Sequence, residues 1–86
     1  MKFELIEVEC YSGYKSNEKP LSFKCKGRYY RISEVIDRWY EGNIDSKQSY
    51  MNYFKVRTED GAEHIMRYNA LFDSWSILIK ESNNNV

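Results

Sequence analysis

The chain has 86 residues, with thirteen Lys and Arg against thirteen Asp and Glu, so its formal net charge is zero. A chain this short carries one core, and its charge balance excludes both a strongly charged tail and a uniformly basic nucleic-acid clamp. Disorder is excluded too, because 42% of the residues are hydrophobic and 16% aromatic, which is ample surface to bury.

Eight Tyr, four Phe and two Trp suit a thin core. Each buried ring removes about 150–250 Å² from water, and a Tyr can pack its ring while its hydroxyl stays wet. The expected organisation is a single β domain over residues 1–80 and a frayed polar end at 81–86, where Ser82-Asn83-Asn84-Asn85-Val86 has almost nothing to bury. Near the start, Glu4, Glu7 and Glu9 interrupt the apolar residues, which argues against a signal peptide. No run approaches the roughly eighteen apolar residues of a membrane span. A cytoplasmic location without membrane contact is therefore expected, with Cys10 and Cys25 as reduced thiols.

Period-two alternation dominates the chain. Ile6, Val8 and Cys10 alternate with Glu7 and Glu9, which predicts a first half-buried strand. Leu21, Phe23 and Cys25 alternate with Ser22, Lys24 and Lys26, which predicts a second. Gly27 then offers a hairpin return into Arg28-Tyr29-Tyr30-Arg31-Ile32.

Two readings of the next stretch stay open. Ile32, Val35, Ile36 and Trp39 have the spacing of an amphipathic helix that Ser33 could cap, giving one helical turn near 33–40. The β-branched and aromatic content favours instead a strand bent by a bulge at Ser33-Glu34. The polar spacer Glu41 to Tyr50 reads as a loop.

Farther on, Asp60-Gly61 lies between Met51–Glu59 and Ala62–Tyr68. The pair predicts a two-residue hairpin turn with Glu59 opposite Ala62, Arg57 opposite His64, and Val56 opposite Ile65 as a core pair. Trp75, Ile77 and Ile79 mark the last strand. The sum is all-β: a small antiparallel meander curled into a five- or six-stranded barrel.

The stretch Val8-Glu9-Cys10-Tyr11-Ser12-Gly13-Tyr14-Lys15, followed by Pro20, Asp37-Arg38-Trp39-Tyr40 and Tyr53-Phe54-Lys55-Val56-Arg57, resembles a group of small uncharacterised bacterial proteins over roughly residues 5 to 80. That resemblance implies shared ancestry and carries no activity. The run Phe23, Gly27-Arg28-Tyr29-Tyr30, Val35 and Arg38-Trp39 is more faintly similar to a small C-terminal domain of proteins related to translesion DNA polymerases. It lacks the counterpart of the 9–15 stretch, and the likeness implies at most a nucleic-acid partner.

The zero net charge conceals segregation. From Tyr11 to Tyr40 seven basic residues stand against Glu18, Glu34 and Asp37, a net +4. Tyr14, Lys15, Lys24, Lys26, Arg28, Tyr29, Tyr30, Arg31 and Arg38 form the candidate binding surface. Basic side chains supply charge for phosphates, and rings supply faces for unstacked bases. The alternative is that the rings fill the core while the lysines guard strand edges. The polar loop Ser12 to Pro20 is either a binding loop or an ordered connection tied down by Tyr14.

No cofactor, metal or catalytic site is expected. Cys10, Cys25 and His64 are singly placed, without the paired spacing of a zinc site, and no phosphate-cradling glycine loop occurs. A nucleophilic thiol would need an orienting base, and the expected hairpin register puts His64 on the polar face. The sequence therefore predicts a non-enzymatic binding module: a homodimer or a protein partner first, a nucleic acid as the alternative.

Overall fold

The computed structural model describes residues 2–10, 19–41 and 50–79. The expected loop residues Tyr14 and Lys15, the 42–49 part of the polar spacer and the 81–86 end lie outside them. Six antiparallel strands follow in chain order: β1 (Lys2–Cys10), β2 (Pro20–Cys25), β3 (Arg28–Tyr40), β4 (Met51–Thr58), β5 (Glu63–Asn69) and β6 (Ser74–Ile79). Each pairs with its chain neighbour, and β6 returns to β1, so the sheet closes on itself as a barrel. Closure suits an 86-residue chain because it leaves few strand edges for another chain to pair with.

Period-two alternation places one face of every strand inside. Val8, Cys10, Phe23, Phe54, Val56, Met66, Tyr68, Trp75 and Ile77 form the core. Phe54 and Tyr68 both pack against the Trp75 ring, with centroids 5.3 and 5.2 Å away. The Tyr68 hydroxyl donates to the Asp73 carboxylate, so the ring is buried and its polar end is satisfied.

The stretch from 33 to 40 is strand rather than helix, and it bends twice. Ser33 is one extra residue between the pairs Ile32–Thr58 and Glu34–Arg57; Ile36 is another between Val35–Val56 and Asp37–Lys55. Two bulges four residues or fewer apart let the thirteen-residue strand serve both β2 and β4 while the barrel curls. They also explain the helix-like spacing of Ile32, Val35 and Ile36, because each inserted residue shifts the apolar positions off period two.

Of the two hairpin turns read from the glycines, the one at Gly27 falls where expected and the one at Asp60-Gly61 departs. Lys26 and Gly27, with φ of 52° and 78°, make the two-residue turn between the paired Cys25 and Arg28. At Asp60-Gly61 only Gly61 has positive φ, at 89°, and the loop is one residue longer. Thr58 N–H donates to Ala62 C=O and Gly61 N–H to Thr58 C=O, both at 2.9 Å. Asp60 accepts from the Thr58 hydroxyl and from Ala62 N–H. A turn ending in a left-handed glycine fits such a three-residue loop.

The extra loop residue slides β5 by one. Phe54 faces Met66 and Val56 faces His64, in place of the expected Val56–Ile65 pair. Because side chains alternate, that slip exchanges the two faces of β5: Met66 and His64 turn inward, Ile65 and Arg67 outward. Another correction concerns Leu21. The β1–β2 ladder shifts between Glu9 and Cys10, so Pro20 pairs with Cys10 and takes the interior place, while Leu21 is displaced to the surface.

Candidate functional site

The candidate surface divides into three parts. Lys24, Tyr29 and Arg31 lie on the outer face of β2 and β3, where Tyr29 is 59% exposed and its hydroxyl donates to Ser22 Oγ at 2.9 Å. Lys26 lies in the tight turn at one barrel end and Arg28 directly after it. There Arg28 covers the Tyr30 ring at 5.5 Å, and Tyr30 itself stacks on Phe23 in the interior. Arg38 sits toward the other end of β3 over Phe54 and Tyr40. Seven residues of strand separate it from Arg31, roughly 20 Å. Tyr14 and Lys15 fall outside the described residues.

The N-terminal acids fold onto the same outer face as the bases. Glu7 pairs with Lys24, and Glu9 pairs with Ser22, whose other neighbour is Arg31. Glu4 comes within 3.9 Å of Lys26. The bases of the +4 segment that lie on β2 and the start of β3 are thus flanked by carboxylates in space, although those acids lie outside the segment in sequence.

Between the start of β3 and the β4–β5 hairpin runs a groove of about 320 Å³, with Arg28–Arg31 on one wall and Thr58–Asp60 on the other. Asp60 is committed to its turn: the Thr58 hydroxyl and then the Ala62 N–H hold its carboxyl below the usual range. Glu59 and the two arginines make no ion pair with one another.

A second hollow, about 140 Å³, opens at the barrel end between Phe23, Cys25, Tyr30, His64 and Ile79. His64 therefore does not lie on the polar face. It meets the rings of Phe23 and Tyr30 edge-on, at 5.6 and 5.9 Å, and shares a hollow with the half-buried Cys25. Among the described residues no three His, Cys, Asp or Glu side chains come together as a metal cluster.

A further apolar surface is one the sequence reading missed. On the outer face of β3, β4, β5, β6 and β1, Trp39 stacks on Tyr53 at 5.4 Å with planes 6° apart. Phe3 meets Tyr53 edge-on, and Arg67 lies 3.9 Å above the Phe3 ring. Leu78 pairs with Phe3, and Leu5 beside it is 73% exposed. Ile65 and Leu78 line one shallow depression with Lys55 and Glu63.

Charges of both signs border this strip. Arg57 bridges Glu34 and Glu63, and Lys55 reaches Glu63 at 3.8 Å. Tyr53 donates to Glu41 at 2.6 Å, and partial burial, then that hydrogen bond, raise its pKa above 10.0. The strip was hidden by the one-residue register error, which sent Ile65 and Arg67 inward. A three-residue reading of Glu59-Asp60-Gly61 turns Ile65 and Arg67 outward, but the rest of the strip comes together only through the closed sheet.

A smaller exposed group, Tyr50, Leu71 and Phe72, occupies the opposite tip, where Ala70 N–H donates to Tyr50 C=O and Asn69 caps the turn through Leu71 N–H. No helix among the described residues is long and apolar enough to cross a membrane. Compared with protein-family models, curated proteins and solved structures, the chain has no match.

Proposed function

We propose that this barrel is a cytoplasmic interaction module that associates with a second copy of itself through the outer strip of Phe3, Leu5, Trp39, Tyr53, Ile65 and Leu78. The single observation that carries the reading is this rigid, partly exposed apolar–aromatic face on a closed barrel. Contiguous exposed apolar surface of this kind marks interaction sites, and aromatic residues and Arg are enriched at interface centres.

Three arguments favour a second copy over an unlike partner. An isologous two-fold interface must complement itself, and the rim carries Lys55 and Arg67 beside Glu34 and Glu63. Zero net charge means that two copies do not repel at long range. The strip also lies on regular strands, so pairing needs little reordering of backbone.

Light scattering over a dilution series tests the proposal. The mass doubles as concentration rises, and Leu5→Glu abolishes the doubling without altering the melting temperature. A wild-type chain that stays monomeric at the highest concentration refutes it. Nucleic-acid binding takes second place. Tyr29 between Lys24 and Arg31 supports that alternative, whereas Glu7 and Glu9 on the same face weigh against phosphate.

A further inference from the structure

The groove between β3 and the β4–β5 hairpin contains an open strand edge. The β3–β4 ladder begins at Ile32–Thr58, so on that side no strand among the described residues lies beside Arg28 to Arg31. One bond crosses, from Glu59 N–H to Arg31 C=O at 2.9 Å. In the β2–β3 hairpin the turn-closing pair Cys25–Arg28 and the pair Phe23–Tyr30 exchange hydrogen bonds across β2. Antiparallel alternation then turns the N–H and C=O of Tyr29 the other way, into the groove. The Arg31–Glu59 bond confirms that phase, because Arg31 is two residues from Tyr29 and points to the same side.

An extended segment laid along this edge, in line with β4, would continue β4 past Tyr29 toward Arg28. It could not run through, because Thr58 and Glu59 fill the other end of the groove. The occupant must therefore have a chain end there. Running antiparallel to β3, as β4 does, it presents its N-terminus to Glu59; running parallel, it would press a C-terminal carboxylate against Glu59 and Asp60.

The charges select between the two. Among the described residues Glu59 has no ion-pair partner, and Arg28 and Arg31, farther along the same groove, also form none. We infer that the groove captures the free N-terminal amine of an extended peptide, which adds as a short strand to the edge of β3 at Tyr29 and places its ammonium beside Glu59. Continuing the register, its first residue lies opposite Tyr30, its second pairs with Tyr29, and its third lies opposite Arg28, where an acidic side chain fits. About 320 Å³ lies at the lower end of the range for ligand pockets, which suits two or three residues. Strand addition supplies affinity through the main chain, and the captured terminus supplies selectivity. This site is distinct from the association strip and does not depend on it.

An array of extended pentapeptides, each synthesised with a free amine and again N-acetylated, tests the inference against the labelled full chain. Free-amine peptides with an acid at the third place are retained about tenfold better than their acetylated twins, the scale of one charge-assisted hydrogen bond. Glu59→Gln removes that preference and leaves the melting temperature unchanged. The preference also fades as pH rises past about 8, where an α-amino group loses its proton. Amide NMR shifts on adding the best peptide centre on Tyr29 and Arg31. Equal retention of the two forms, retention unaffected by Glu59→Gln, or no retention anywhere on the array overturns the inference, and the arginines then serve only to guard the edge.

Discussion

Replacing Met66 and Ile65 one at a time by alanine separates the two registers of the β4–β5 hairpin. In the structure Met66 is fully buried opposite Phe54, whereas Ile65 is half-buried on the outer face opposite Lys55. Truncating a buried Met to Ala removes transfer energy and leaves a cavity, about 2–5 kcal/mol together. Ile65→Ala removes three carbons that are about half out of water already and opens no cavity, so it costs about 1 kcal/mol.

For a domain of this size each kcal/mol moves the melting temperature by roughly 4–8 °C. Met66→Ala at about 3 kcal/mol therefore lowers it by about 12–24 °C, and Ile65→Ala by about 4–8 °C. Urea unfolding of the three proteins, with unchanged slopes, is the assay. If Ile65→Ala is the more damaging, β5 is in the two-residue register, and the outer strip loses Ile65 and Arg67.

Other outcomes follow from the same geometry. Gly61→Ala destabilises the domain by about 1 kcal/mol or more in the same unfolding assay; open space surrounds the added Cβ, so the cost lies in the positive φ alone. The depressed Asp60 carboxyl supports the hairpin above its ordinary value of 3.8, and that support is lost as pH falls through the lowered value. The protection of the Ala62 amide, meaning its exchange rate relative to the intrinsic rate at each pH, is followed from pH 5 downward and falls only below the usual carboxylate range; a fall that begins already at pH 5 would contradict this. Labelled single-stranded oligonucleotide binds weakly at low ionic strength with a shallow salt slope, because Glu7 and Glu9 flank Lys24 and Arg31. A steep slope would restore the nucleic-acid alternative.

Much of the fold is legible in the sequence because its signals are local. The Val8–Cys10, Phe23–Cys25 and Trp75–Ile79 alternations each identify a strand and its inner face, and Gly27 marks a turn at the right place. The bulge at Ser33 is also legible, since a β-branched run broken by Ser33-Glu34 reads as a bent strand. What fails is counting across a turn. Asp60-Gly61 suits two loop lengths, and the choice rests on the Thr58 hydroxyl reaching Asp60, a contact between side chains rather than a propensity. Leu21 fails for the same reason, because a shift in its partner strand decides which way it points.

The candidate site is less legible still. Clustering of charge along the chain suggests a basic surface, but the antiparallel pairing of β1 with β2 brings Glu7 and Glu9 among those bases. Phe3, Leu5, Trp39 and Tyr53 come from three strands that no sequence window spans. Only the closed sheet order makes one strip of them.

The central claim is that two copies meet through this strip, and intermolecular NOEs in a mixture of isotope-labelled and unlabelled chains test it most directly. Contacts are expected from the methyl groups of Leu5, Ile65 and Leu78 in one copy to the rings of Phe3, Trp39 or Tyr53 in the other. Intermolecular contacts confined to Tyr50, Leu71 and Phe72, or none in a sample concentrated enough to associate, would contradict it.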